Sequence, residues 1–264
     1  MPSRKQPSKK SSKPRTYTPV ERQKAVDAGR DRILTAAREL LEGDHTEAFS
    51  LDAVARRAGV SRMTVYNQFE SKAGLLEALF DVLAVSGGFG NMAAVFREQD
   101  PAVALDELVA LLGRFWTFSR RAHGRLRAAA LADADLASAI TQRNERRRTG
   151  VAELVRRLQS QAKPIVPRDE VVNVLFVLLG FDTFDAFAGP ERTPDQVVPM
   201  VQRLARGVLG LPSTGRPRAT KRLQLPGGIG WREGAHAGHI QRTTVSTVAR
   251  RLTAFWTTPR RESR

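Results

Sequence analysis

The stretch VARRAGVSRMTVYNQF, Val54 to Phe69, restricts the fold more than any other part of this chain. Ser50 is a good N-cap with Asp52 in the first turn behind it, and Leu51, Val54, Ala55 and Ala58 line one face of a short helix that Gly59 ends. Ser61 caps the next helix, in which Val65 and Phe69 lie one turn apart and point inward. Two short helices joined by a tight turn containing glycine form a helix-turn-helix, whose second helix is shaped for the major groove of DNA.

The flanking sequence supplies the rest of a compact head. Ile33, Ala36, Ala37, Leu40 and Leu41 recur at helical spacing from about Asp31, and Gly43 supplies a stop. Ser71 caps a fourth helix that buries Leu75, Leu76, Leu79, Phe80 and Leu83. SGGFGN, Ser86 to Asn91, then breaks the pattern and separates the head from a larger body. In the body, helices are expected from Asp100-Pro101 onward, along LADADLASAITQRNERRRTGVAELVRRLQSQ, from Pro167 as one helix through residue 188, and from Thr193-Pro194 to about Gly210. No alternation long enough for a strand occurs, so the fold class expected is all-α. The expected division is a basic arm over 1–25, a helix-turn-helix DNA-binding domain over 26–85, a larger helical body over 86–211, and a basic tail over 212–264.

The formal net charge of +16 becomes informative once it is located. Residues 1–30 hold nine basic side chains against two acids and residues 213–264 hold eleven against two, while residues 31–212 hold 23 of each sign. The excess lies in two segments with the composition of solvated disorder, able also to touch phosphates, around a neutral body. There are no cysteines, which excludes disulfides, thiolate nucleophiles and Cys-ligated zinc. The longest apolar run, Val171 to Phe181, is interrupted by Asn173 and is too short for a membrane span, and the basic N-terminus has no apolar segment after it. A cytoplasmic protein with no membrane partner is expected.

In the second helix of the motif, Met63, Thr64, Tyr66 and Asn67 face outward and Arg62 splays from the first turn, where it can pair with guanine. Lys72, opening the next helix, can add a charge to the DNA backbone. With the cap residues Ser50 and Ser61 these are the expected DNA contacts. The same residues resemble the tetracycline-repressor (TetR) family. The likeness is carried by Ile33, Ala37, Leu40 and Leu41 and by AVARRAGVSRMTVYNQFESKAGLL, in which Ala58, Gly59, Val60, Ser61, Thr64, Tyr66, Phe69, Ser71 and Lys72 match the family pattern. It is specific over 31–83 and architectural over 92–211. Met63 stands where a small residue is common, and the segment after Leu211 departs from the family. The resemblance implies a homodimeric transcriptional regulator, usually a repressor, whose body binds a small molecule and re-spaces two DNA-binding heads on a near-palindromic operator.

In the body, RFWTF, Arg114 to Phe118, serves either as core or as wall of a ligand pocket, for which Phe115, Trp116, Phe118 and Phe176 are the candidates. The apolar surplus of 171–188 is either central in one monomer or paired across a dimer, with Val174, Leu178, Phe181, Asp185, Val201 and Leu204 as candidate interface residues. RNERRR, Arg143 to Arg148, is expected to be a solvated face, and His45 and His123 are expected on surfaces. GFGNMA follows a helix rather than a strand, LPSTG lacks a following span, and His236 with His239 lack a third ligand, so no cofactor and no metal are expected. No phosphate loop, nucleophile elbow or carboxylate constellation near a histidine supports an enzyme. The alternative function is a non-specific, nucleoid-type DNA binder acting through its basic tails.

Overall fold

The computed structural model describes residues 19–43, 47–158 and 167–212. The calls on the arm up to residue 18, on His45, and on the segment from 213 onward with His236 and His239 lie outside the described residues. Among the described residues there are ten α-helices and no strand, which is the all-α class expected. The head comprises α1 (Pro19–Glu42), α2 (Leu51–Ala58), α3 (Arg62–Phe69) and α4 (Lys72–Ser86). The body comprises α5 (Met92–Arg97), α6 (Pro101–Ala130), α7 (Ala134–Leu158), α8 (Arg168–Leu178), α9 (Phe181–Ala188) and α10 (Val198–Val208), with short 3-10 turns at Phe89–Asn91 and Pro194–Val197.

The head closes around Ile33 and Ala37 of α1, Val54 of α2, Val65 of α3 and Leu75, Leu76 and Leu79 of α4, all fully buried. Helices as short as α2 and α3 are marginal in isolation, so these contacts hold them in place. α1 begins at Pro19, inside the stretch expected as arm; proline at the first position is pre-organised for a helix and Glu21 favours the positive end of its dipole.

α6 is the spine of the body. It is 30 residues long, about 45 Å at 1.5 Å per residue, and packs against α1 and α5 as well as α7, α9 and α10. Asp100 caps it, with Pro101 at its first position. Gly113 lies where α6 crosses the last helices: a β-carbon there would come within 2.3 Å of Val198, so the crossing needs glycine.

The single helix expected over 171–188 is two helices, α8 and α9, bent by 53° at Leu179-Gly180. Breaking a helix frees carbonyls that a continuous one would bond. Here side chains from three elements meet them. Arg147 of α7 donates to Phe176 O at 2.7 Å, Thr183 of α9 to Val177 O at 2.6 Å, and the Trp116 indole of α6 to Leu179 O at 3.2 Å. Among the described residues no single helix is long and apolar enough to cross a membrane.

The end of the body is tied down by Arg206 of α10, which grips Asp106 of α6 through Nε and Nη2 at 2.6–3.2 Å and donates a further bond to Pro212 O. The Arg206 side chain is only 8% exposed. Removing one partner of a buried pair strands the other charge, whereas an exposed pair contributes little. Arg206→Leu should therefore lower stability by about 2–4 kcal/mol, while Arg156→Leu, at the exposed pair with Glu153, should leave the thermal midpoint unchanged; melting curves of both variants check this.

Candidate functional site

The α2–α3 turn is built from local chemistry. Ser50 accepts a bond from Ala53 N at 3.1 Å, satisfying an orphan amide at the start of α2. Gly59 closes α2 in the left-handed region at φ 65°, with its own amide on Arg56 O and the Val60 amide on Ala55 O, the paired bonds of a Schellman ending. Ser61 then caps α3, accepting from Thr64 N at 3.0 Å and sharing a 2.8 Å bond with the Thr64 hydroxyl. At the far end Arg30 donates to Gln68 O at 2.9 Å and lies 4.3 Å over the Phe69 ring. α3 is thus clamped at both ends by groups that do not use its outer face.

On that outer face Arg62, Met63, Thr64, Tyr66 and Asn67 are all exposed, Met63 by 64% and Tyr66 by 53%. Arg62 has only a loose 3.7 Å approach to Asp52, between two side chains more than half exposed, so its guanidinium can turn to another acceptor. Ser61 is exposed beside them, whereas Ser50 is half-buried with its hydroxyl on the cap. Lys72 differs from expectation. It is ion-paired to Asp133, which also caps α7 through Leu136 N, and it faces the Phe49 ring. Its bond holds the Asp133 carboxyl below the usual carboxylate range. In this conformation Lys72 is a tie between head and body rather than a free cation.

That tie is one of several. Arg125 and Arg121 of α6 donate to Leu40 O and Glu42 O at the end of α1, both at 3.1 Å. Arg146 of α7 pairs with Glu77 of α4, and Arg143 lies 3.7 Å from both Glu77 and Asp81.

Behind this seam α4, α6, α7, α8 and α9 enclose a cavity of about 570 Å³. That is within the size range of small-molecule sites. Phe115, Trp116 and Phe176 line it as expected. Phe118 does not: it is 37% exposed on the opposite side of α6, with Arg38 5.1 Å over its ring. Of the residues expected at a dimer interface, Val201 is fully buried inside the monomer, Asp185 is bonded to Arg120 at 2.6 Å, and Phe181 stacks towards Trp116 and His123 in the cavity wall. Val174 and Leu204 are about 40% exposed, and Leu178 is half-buried.

Two features of the cavity run against expectation. His123 is not on the surface: its ring sits among Phe80, Phe115, Trp116 and Phe181, with centroids 4.9–5.5 Å away, and its Nδ1 bonds to Ser119 O. Arg143 and Arg147, expected on a solvated face, line the cavity. The signal was present. Leu136, Ile140, Arg143, Arg147, Val151, Leu154 and Leu158 follow one another at steps of three and four, so the apolar stripe of α7 runs through both arginines.

Among the described residues no group of three His, Asp or Glu could hold a metal ion.

A capped helix-turn-helix thus sits on an all-helical body with its own cavity. Residues 33–79 match the family model described as bacterial regulatory proteins, tetR family. The chain is 42% identical over 66 residues to the HTH-type transcriptional regulator AlkX of Mycobacterium tuberculosis, covering 24% of this chain and 31% of that protein. It is 41% identical over 81 residues to EthR of Mycolicibacterium smegmatis, covering 29% and 37%. The chain thus spans about a third of the length of these curated relatives, and the family model falls within the head. The fold as a whole is shared with NalD of Pseudomonas aeruginosa, described as the secondary repressor of a multidrug efflux pump, at a TM-score of 0.54 and 21% identity over 72% of this chain and 100% of that one.

Burial pushes the His123 pKa down to about 4, so the ring is neutral when folded, whereas an unfolded histidine takes up a proton near 6.5. The native state therefore binds fewer protons between these values. The stability this represents is complete above about pH 6.5 and is lost as pH falls toward 4, up to about 3 kcal/mol. His123→Leu should flatten the decline of the thermal midpoint between pH 6.5 and 4.5 relative to the parent chain.

Proposed function

We propose that this protein is a DNA-binding transcriptional regulator, a repressor that reads a near-palindromic operator as a homodimer and responds to a small molecule held in the body cavity. The observation that carries this is the outer face of α3. Val65 and Phe69 turn inward and the caps and clamps act at its ends, which leaves Arg62, Met63, Tyr66 and Asn67 exposed beside Thr64, whose hydroxyl is shared with Ser61, a row of side chains suited to base edges and phosphates. The relatives named above, two transcriptional regulators and a repressor, support the assignment. The head to residue 85 is the DNA-binding unit and 86–211 the ligand-binding and dimerisation unit.

For the dimer, Val174 and Val177 of α8 and Leu204 of α10 are 39–61% exposed, on two helices that pack against each other. A second copy of the same surface would cover them. The double variant Val177→Asp, Leu204→Asp should shift the mass measured by light scattering from two chains to one, with the helical circular dichroism retained.

DNA reading is tested by footprinting on the DNA flanking the gene, followed by affinity for the protected site and for random DNA. Arg62→Ala should weaken binding to the site by about 1–3 kcal/mol and change binding to random DNA far less. Lys72→Ala should leave the salt slope unchanged, because its charge is engaged by Asp133; a backbone contact would reduce that slope by about one per subunit. Equal affinity for the site and for random DNA would instead favour the non-specific binder.

A further inference from the structure

The cavity has an unbalanced charge. Its wall holds four arginines against three carboxylates. Arg127 pairs with Asp182, and Arg143 and Arg146 are matched by Glu77 and Asp81. Arg147 remains. It donates one bond to Phe176 O and lies 4.0 Å over the Phe176 ring, and among the described residues it has no carboxylate partner. Arg148, 4.1 Å from the same Phe176 ring, has Glu145 and Asn173 as partners, so it does not relieve Arg147. A guanidinium carries five N–H donors, and one placed in an apolar wall without a counter-ion is a poor arrangement unless an anion completes it.

The remaining wall describes the other end of the ligand. Phe80, Phe89, Phe115, Trp116 and Phe181 offer apolar and aromatic surface, and His123 contributes a neutral ring whose Nε2 has no hydrogen-bond partner among the described residues. We propose that the cavity binds a monovalent organic anion, a carboxylate carried on an extended apolar body, with the carboxylate at Arg147 and the body among the aromatic rings. This rests on the body cavity being the effector site and adds to it the chemical class of the effector. Arg147 also holds a carbonyl at the α8–α9 bend, as do Trp116 and Thr183, and all three line the cavity. A carboxylate bound at Arg147 would therefore rest on a side chain that also holds the bend.

The full chain should be titrated by calorimetry with matched carboxylate, alcohol and amine: decanoate, decan-1-ol and decylamine, then 6-phenylhexanoate, 6-phenylhexan-1-ol and 6-phenylhexylamine. Trp116 fluorescence, read in a Trp231→Phe, Trp256→Phe background, reports occupancy. At least one carboxylate should bind tenfold or more tightly than its alcohol, and the amine more weakly than either; the better of the two series distinguishes an acyl from an aromatic body. Arg147→Gln should bring carboxylate binding down to that of the alcohol, which stays within twofold, and Arg147→Lys should keep part of the preference. An alcohol or amine binding as tightly as the carboxylate in the parent chain overturns the proposal, as does absence of binding by every compound at 1 mM, or a carboxylate preference that survives Arg147→Gln. The parent comparison needs no variant to fold. Site-specific DNA binding without carboxylate binding would remove the ligand class alone; carboxylate binding by a chain that does not discriminate between DNA sequences would remove the regulator alone.

Discussion

An α-helix leaves amides at its start and carbonyls at its end without internal partners, and a chain cut into ten helices among its described residues has many such ends to satisfy. This constraint organises the molecule. The starts are met locally, by Ser50, Ser61, Ser71, Asp100 and Asp133, each within three residues of the amide it accepts from. α2 ends locally at Gly59, but other ends are met from other elements: α1 by arginines of α6, α3 by Arg30 of α1, and α8 by Arg147, Trp116 and Thr183. Local caps position the short helices of the head, and remote donors lock the head to the body and shape the cavity. The groups that hold the fold together at the α8–α9 bend are therefore also groups that line the cavity.

The same asymmetry explains what could be read from the chain directly. The starts were legible because a serine before an apolar-periodic segment is a local signal, and α2, α3 and α4 begin where that signal places them. The bend at Leu179-Gly180 was not, because its run is apolar on both sides and its donors come from residues as far as 63 positions away. The pairing of Lys72 was missed for a related reason: Asp133, 61 residues on, becomes its neighbour only when α7 packs against α4. The burial of Val201 and the bond of Asp185 to Arg120 were not legible because periodicity identifies an inward face without saying which neighbour it meets.

Arg143 to Arg148 is a different case. Four arginines in six residues suggest a solvated surface on composition, yet two of them continue the apolar stripe of α7, and phase overrides composition when a helix is this long. The outer face of α3 was legible in full, since Val65 and Phe69, both buried, determine by subtraction which side chains remain outside.

Asp133 has a further geometric consequence. One of its oxygens starts α7 and the other holds the first residue of α4, so the beginnings of one wall of the cavity and of the head's last helix meet at one carboxylate. α4 is 15 residues long, about 22 Å, and carries Glu77 and Asp81 farther along its length. It is held at its start by Asp133 and farther along by the arginines of α7. With the start fixed, a tilt of about 10° would sweep the far end through about 4 Å, a displacement comparable to the rise of two or three helical residues.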